Sequence, residues 1–212
     1  MPADWLPRLR RALYAAPDHE PAHWQLAGQP LAQAAAAEVV RAALPQALRH
    51  AAVLVPIVER PQGPALLLTA RAVHLRHHAG QISFPGGGIE PDDPDAVAAA
   101  LRETREEIGI DSRFIRPLGF LPDQIVLTGF RITPVVALLQ PEFELRVDDA
   151  EVAEVFEMPL AMLVDARSFV PVRRVLRGVE VTLQDLNYQG RVIWGATAGM
   201  LLVLHRALQE AA

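Results

Sequence analysis

The chain has 212 residues, 51% of them apolar and none of them cysteine, with a formal net charge of −5. That length suits one ordinary domain plus a terminal extension, and the missing cysteines exclude disulfides, thiolate zinc sites, iron–sulfur clusters and cysteine nucleophiles, which fits a cytoplasmic protein. No Lys/Arg stripe interleaved with aromatics and no apolar run near the roughly 20 residues of a membrane span appear, so neither nucleic acid nor a bilayer is the expected partner, and no secretory signal is read. Residues 1–50 are alanine-rich, with prolines at 7, 17, 21, 30 and 45. Short helices are expected there, the clearest from Leu31 to Leu44, as an N-terminal helical extension ahead of a main domain at 51–212. Ala52–Val58 and Ala65–Thr69 are β-type runs about a Pro61-Gln62-Gly63-Pro64 turn, so they predict a hairpin. A polar stretch with three histidines, Arg71–Gly80, leads to a short strand, Ile82–Phe84, and a glycine triplet, Gly86-Gly87-Gly88. A helix over 94–108 follows, with Asp93 as N-cap, Pro94 at the first helical position and Gly109 as left-handed stop. Ile115–Phe120 and Arg131–Leu139 read as strands, and Leu160–Ala166 as a short helix. Val170–Trp194 holds β-type runs broken by turns at Arg177-Gly178 and Gln189-Gly190. Ala196–Leu208 reads as a closing amphipathic helix. Strands mixed with a few helices indicate one α/β or α+β domain.

The helix over 94–108 has an unusual charge pattern. On a helical wheel Val97, Leu101, Thr104 and Ile108 form one stripe, the expected core face, and Glu103, Glu106 and Glu107 group on another arc. Like charges at i,i+3 and i,i+4 cost a few tenths of a kcal/mol per pair. Two of the three also lie in the last turn, where the helix dipole favours cations. Grouped carboxylates are hard oxygen ligands suited to Mg²⁺ or Mn²⁺. A solvated face partly neutralised by Arg102 and Arg105 is the competing reading, with Arg102 placed to pair with Glu106. The glycine triplet just before the helix favours the metal reading, because glycines let backbone groups approach a phosphate or a cation closely.

At this point the sequence resembles the Nudix box. Its second half reads Arg102-Glu103-Thr104-Arg105-Glu106-Glu107-Ile108-Gly109-Ile110, departing only at Thr104, where an aliphatic residue is usual. The first half is longer, and Asp93, Asp92 and Glu90 compete for its acidic position. The flank is similar to the coenzyme A pyrophosphatase subgroup: Leu67-Leu68-Thr69-Ala70-Arg71, Leu75-Arg76, and His78-Ala79-Gly80-Gln81-Ile82-Ser83-Phe84-Pro85-Gly86-Gly87. Thr128–Val136, Glu151–Phe156 and Ile193–Ala198 resemble its later segments. The likeness spans about residues 51–205.

The resemblance implies a Nudix fold, a mixed β-sheet sandwiched between helices, and metal-dependent attack of water on a nucleoside diphosphate linked to another group. For coenzyme A the products would be 3′,5′-ADP and 4′-phosphopantetheine. Glu103 and Glu107 are the expected metal ligands, with Glu106 as a third and a Gly87 backbone carbonyl completing the shell. Arg102 is expected to orient the carboxylates. The general base stays open between Glu103, in the helix, and Glu151 or Glu154, in a later loop. Arg71 and Arg76 are candidates for substrate phosphates, since a guanidinium fork matches phosphate oxygens, and Gly86 and Gly87 for close backbone approach. His74, His77 and His78 read as hydrogen-bonding or solvent-facing groups. Trp194 and Tyr188 fit adenine stacking, core packing or a homodimer contact equally. Other nucleoside diphosphate derivatives (ADP-ribose, NADH, a nucleoside triphosphate) and a non-catalytic binding module are the alternative functions.

Overall fold

A computed structural model describes residues 4–31, 37–75, 78–176 and 178–210. The chain opens with helix α1 (Trp5–Ala12), a short pair of strands β1 (Gln25–Leu26) and β2 (Gln29–Pro30), and helix α2 (Ala37–Ala43). The helix expected over Leu31–Leu44 is thus described only from Ala37, its first turns lying outside the described residues. The expected hairpin forms from β3 (Arg49–Arg60) and β4 (Gly63–Arg71), antiparallel, with Ile57 opposite Leu66.

Beyond the hairpin the two strands part, and two short strands fill the fork. Strand β5 (Ile82–Ser83) pairs with β4, and β6 (Gly86–Gly88) pairs with β3, Gly87 standing opposite Ala52. The glycine triplet is therefore sheet, not free loop. Helix α3 (Ala96–Ile108) crosses the sheet next. Then come β7 (Ile115–Phe120), β8 (Gln124–Val126), β9 (Phe130–Leu139) and β10 (Val152–Pro159). Strand β3 runs parallel to β9 and antiparallel to β4, so the main sheet is mixed, in the order β10-β4-β3-β9-β8-β1-β2. A second, antiparallel sheet holds β11 (Phe169–Leu176), β12 (Val179–Tyr188) and β13 (Arg191–Ile193), and helix α4 (Gly195–Glu210) closes the chain. The helix expected over Leu160–Ala166 is instead two 3₁₀ turns, Leu160–Leu163 and Ala166–Ser168.

Alternation along β3 sends even and odd residues to opposite faces of the sheet. Ala52 and Leu54 join Val135, Ala137 and Leu139 of β9 under α3. Val55 and Ile57 join Val136 and Leu138 on the other face, with α4 and α1. This is the sandwiched mixed sheet the sequence implied. Trp5 and Leu9 of α1 are buried in that second layer. Residues 25–26 extend the sheet through β8, and the Gln25 N–H donates to the Asp123 carbonyl at 2.8 Å.

Two local details of α3 differ from the expectation. Its N-cap is Asp95, whose Oδ1 accepts the Ala98 N–H at 2.8 Å, rather than Asp93. Asp93 is bound elsewhere, to Arg102 and to the Glu90 N–H. The buried face is also rotated. Ala96, Ala99 and Ala100 are buried while Val97 and Leu101 are only half-buried, because small side chains let the helix lie close to the sheet. That rotation carries Glu107 inward.

Candidate active site

Glu107 is 3% exposed, an unusual place for a carboxylate. Its Oε2 accepts the Gly86 N–H at 3.2 Å, and its Oε1 lies 3.6 Å from Arg71 Nη1. Burial raises its pKa to about 7, against the lowering by the Gly86 N–H and Arg71. Glu103, one turn earlier, is also raised, first by burial and against the pull of Arg102, with Glu106 and Glu151 adding repulsion. Like-charged carboxylates brought together out of water are costly unless a cation lies between them, which is the electrostatic reason to place one there.

The glycine strand is cut to fit these side chains. A Cβ on Gly87 would stand 2.5 Å from the Glu103 carboxylate carbon. At Gly86, φ is 152° and a Cβ would meet the Ala52 carbonyl at 2.3 Å, so a side chain is barred on both counts. The Leu54 N–H bonds to the Pro85 carbonyl and the Ile89 N–H to the His50 carbonyl. Antiparallel bonding alternates by two residues, which assigns the Gly87 peptide to Ala52. The flanking peptides face the helix instead: Gly86 gives its N–H to Glu107, and the Gly88 carbonyl accepts from Arg102 Nη2 at 2.9 Å.

Arg102 ties the rest together. It donates to Asp93 Oδ2 at 2.8 Å, Glu103 Oε1 at 2.9 Å and Glu106 Oε2 at 3.1 Å. Asp93 is held below the usual carboxylate range by that bond to Arg102. Of the three acids competing for the box's first half, Asp93 is thus the one joined to the helix. Glu106, expected as a third ligand, points outward: its side chain is 59% exposed and forms the i,i+4 pair with Arg102. Among the described residues no group of three His, Asp or Glu side chains stands ready to hold a metal ion. Thr104, the departure from the box, is fully buried, and its hydroxyl donates to the Ala100 carbonyl at 2.6 Å, so an aliphatic position accepts it.

Glu151 reaches the site through the loop that wraps the end of α3. The last carbonyls of a helix have no partner within it. Here the Glu107 carbonyl accepts the Asp148 N–H and the Ile108 carbonyl the Arg146 N–H, both at 2.9 Å. The Ala72 N–H then bonds to the Glu151 carbonyl at 2.8 Å, which fixes residue 151 beside the end of β4. Its charge acts on both Glu103 and Glu107. Glu154, expected in a loop, instead lies on β10 opposite Ala70 and is bound by Arg191 at the surface. Arg76 and His77 lie outside the described residues. His74 bonds the Ala150 carbonyl and His78 bonds Gln81. Trp194 is partly exposed with Arg174 over its ring, and Tyr188 stacks on Phe156.

The NUDIX domain family model matches residues 48–177. The chain belongs to the Nudix family. NudL of Escherichia coli, described as an uncharacterized Nudix hydrolase, is 44% identical over 153 residues, covering 72% of this chain and 79% of NudL. NudL of Salmonella paratyphi B is equally similar over the same span. Among solved structures, the Nudix hydrolase RenU of M. smegmatis is 21% identical with a TM-score of 0.46, covering 55% of this chain and 73% of that one. As a Nudix hydrolase the protein acts on a nucleoside diphosphate derivative, and enzymes of the family use divalent cations. The residues present suit one. Mg²⁺ takes one or two carboxylates and keeps several waters, so Glu103 and Glu107 suffice without a third side chain. No described helix is long and apolar enough to cross a membrane.

A group that sequence reasoning missed lies on the same sheet face, at the start of β3 and β9. Asp123 is fully buried, accepting from the Thr133 hydroxyl at 2.7 Å and paired with His19 at 2.8 Å and Arg131 at 3.3 Å. No spacing rule joins residues 19, 123, 131 and 133. Only the buried Asp within an apolar stretch could have hinted at it.

Proposed function

We propose that this protein hydrolyses the diphosphate of coenzyme A or its acyl derivatives, giving 3′,5′-ADP and the matching 4′-phosphopantetheine, as a cytoplasmic enzyme. The observation that carries the hydrolytic part is the carboxylate pair of half-buried Glu103 and buried Glu107, seated on Gly86 and Gly87 with Arg71 beside them. The choice of coenzyme A is supported by the flank from Leu67 to Gly87, which resembles the coenzyme A pyrophosphatase subgroup.

In this reading Glu103 and Glu107 hold Mg²⁺ or Mn²⁺, with the second lone pair of the Gly87 carbonyl as a further donor. Bound there, the cation neutralises diphosphate charge and lowers the pKa of water. Arg71 offers its guanidinium to a phosphate oxygen, and its Nε is buried without a hydrogen-bond partner. Arg102 fixes Glu103 on one side and the Gly88 carbonyl on the other, so the donors are in place before substrate arrives. Glu151, held at the end of β4, accepts the proton of the attacking water. The new bond forms at one phosphorus, and the bond from that phosphorus to the bridging oxygen breaks. The test is a mass-spectrometric panel of coenzyme A, ADP-ribose, NADH and nucleoside triphosphates with Mg²⁺ and with Mn²⁺. Release of 3′,5′-ADP from coenzyme A is the expected result; its absence overturns the substrate assignment.

A further inference from the structure

The cluster around Asp123 has features of a site and no part in the chemistry above. Cross-strand partners share a face, and His50 stands opposite Arg131 in the parallel pair of β3 and β9. Even residues of β3 and odd residues of β9 pack under α3, so His50 and Arg131 emerge on the face that carries Glu103 and Glu107. The His50 carbonyl accepts the Ile89 N–H, which sets His50 two residues along the ladder from the Ala52–Gly87 pair, about 7 Å at the rise of a strand. That is about the span of one ribose.

The side chains are arranged as donors toward solvent. Asp123 is the buried base of the group: it accepts from the Thr133 hydroxyl, hydrogen-bonds with His19 Nδ1 and forms an ion pair with Arg131, whose Nε lies 3.3 Å away. With Nδ1 committed, His19 has only Nε2 left, on a side chain that is 47% exposed. Arg131 Nη2 stands 3.4 Å from His50 Nδ1, with His50 itself exposed. Desolvation, then the neighbouring Arg131 and His19, hold His50 below its usual pKa, against the opposing pull of Asp123, so three cation-forming groups share one buried carboxylate. A phosphate monoester between them would accept from Arg131 and from both histidines.

We propose that His19, His50 and Arg131 form a subsite for a phosphate monoester on the ribose of the substrate, one ribose away from the diphosphate at Glu103 and Glu107. This rests on the coenzyme A reading above, and it gives residues 4–31 a share in the substrate site. A nucleotide without that phosphate would leave the subsite empty.

The experiment compares coenzyme A with its 3′-dephosphorylated form in the full-length wild type and in His50→Ala and His19→Asn, with calorimetric binding of 3′,5′-ADP and 5′-AMP alongside. Both residues are exposed, so both variants should fold. Arg131→Lys, which keeps the charge beside Asp123 but loses the fork, is the third variant. The expected result is a KM for coenzyme A raised about tenfold, kcat and the KM for the dephosphorylated form unchanged, and a matching loss of 3′,5′-ADP affinity with 5′-AMP unaffected. Equal changes for both substrates, or none, would overturn the subsite while leaving the coenzyme A reading intact. A wild type that turns over neither substrate overturns both.

Discussion

The carboxylate of Glu103 occupies the space that a side chain on residue 87 would need: a Cβ there would lie 2.5 Å from the Glu103 carboxylate carbon. Gly87 has no positive φ, so the backbone alone would accept alanine. In Gly87→Ala the strain therefore falls on the position of Glu103 rather than on the sheet. Misplacement of a reacting group by about 1 Å can cost about a hundredfold in rate. Turnover should drop by that order with only a small change in melting temperature, read from steady-state kinetics beside a thermal melt. An unchanged kcat would remove Gly87 from the site.

Glu107→Gln keeps the shape of the side chain and removes its charge. Turnover should be lost, because the cation loses a ligand. Folding should persist, and the variant should be at least as stable as the wild type near pH 8 in metal-free buffer, since a costly buried charge is gone. Chemical denaturation with and without a chelator checks this.

The same residue sets a pH dependence. Its pKa in the folded protein, about 7, is above the ordinary value of 4.5, so the folded state binds the proton more tightly than the unfolded state. The stability this confers is complete below about pH 4.5 and declines as pH rises toward 7, by at most about 3 kcal/mol. In metal-free buffer, stability should therefore fall over that window in the wild type, and the decline should be absent in Glu107→Gln. Mn²⁺ binding, followed by electron paramagnetic resonance, should weaken as pH drops below 7, because the proton competes for the ligand.

Arg102 makes four contacts of fixed direction, to Asp93, Glu103, Glu106 and the Gly88 carbonyl. A lysine can carry the charge but not the fork. Arg102→Lys should lower kcat about tenfold or more with little change in KM, because it loosens Glu103 without touching substrate. A rise in KM alone would show that Arg102 binds substrate instead.

Leu9 is fully buried between α1 and the layer under α4. Leu9→Ala should cost about 2–4 kcal/mol by denaturant titration. A loss below about 0.5 kcal/mol would mean that α1 is only loosely docked.

Much of this protein was legible without coordinates, because its signals are local. Turn residues set the hairpin of β3 and β4, the repeat of turns set the second sheet, and the order of glycines and glutamates marked the box. Sequence placed Glu107 ahead of Glu106 as a ligand but could not show how far apart the surroundings of these adjacent residues of the same type would be. Their fates were decided by which face of α3 met the sheet, and the small Ala96, Ala99 and Ala100 turned Glu107 inward and left Glu106 with Arg102. Asp93 looked like a helix cap until Arg102, nine residues on, claimed it. Glu151 and the pairing of His19 with Asp123, 104 residues apart, depend on strand order and loop closure. Periodicity and turn chemistry are written in neighbouring residues; which charges end up buried together is settled only when distant strands pack and water is excluded.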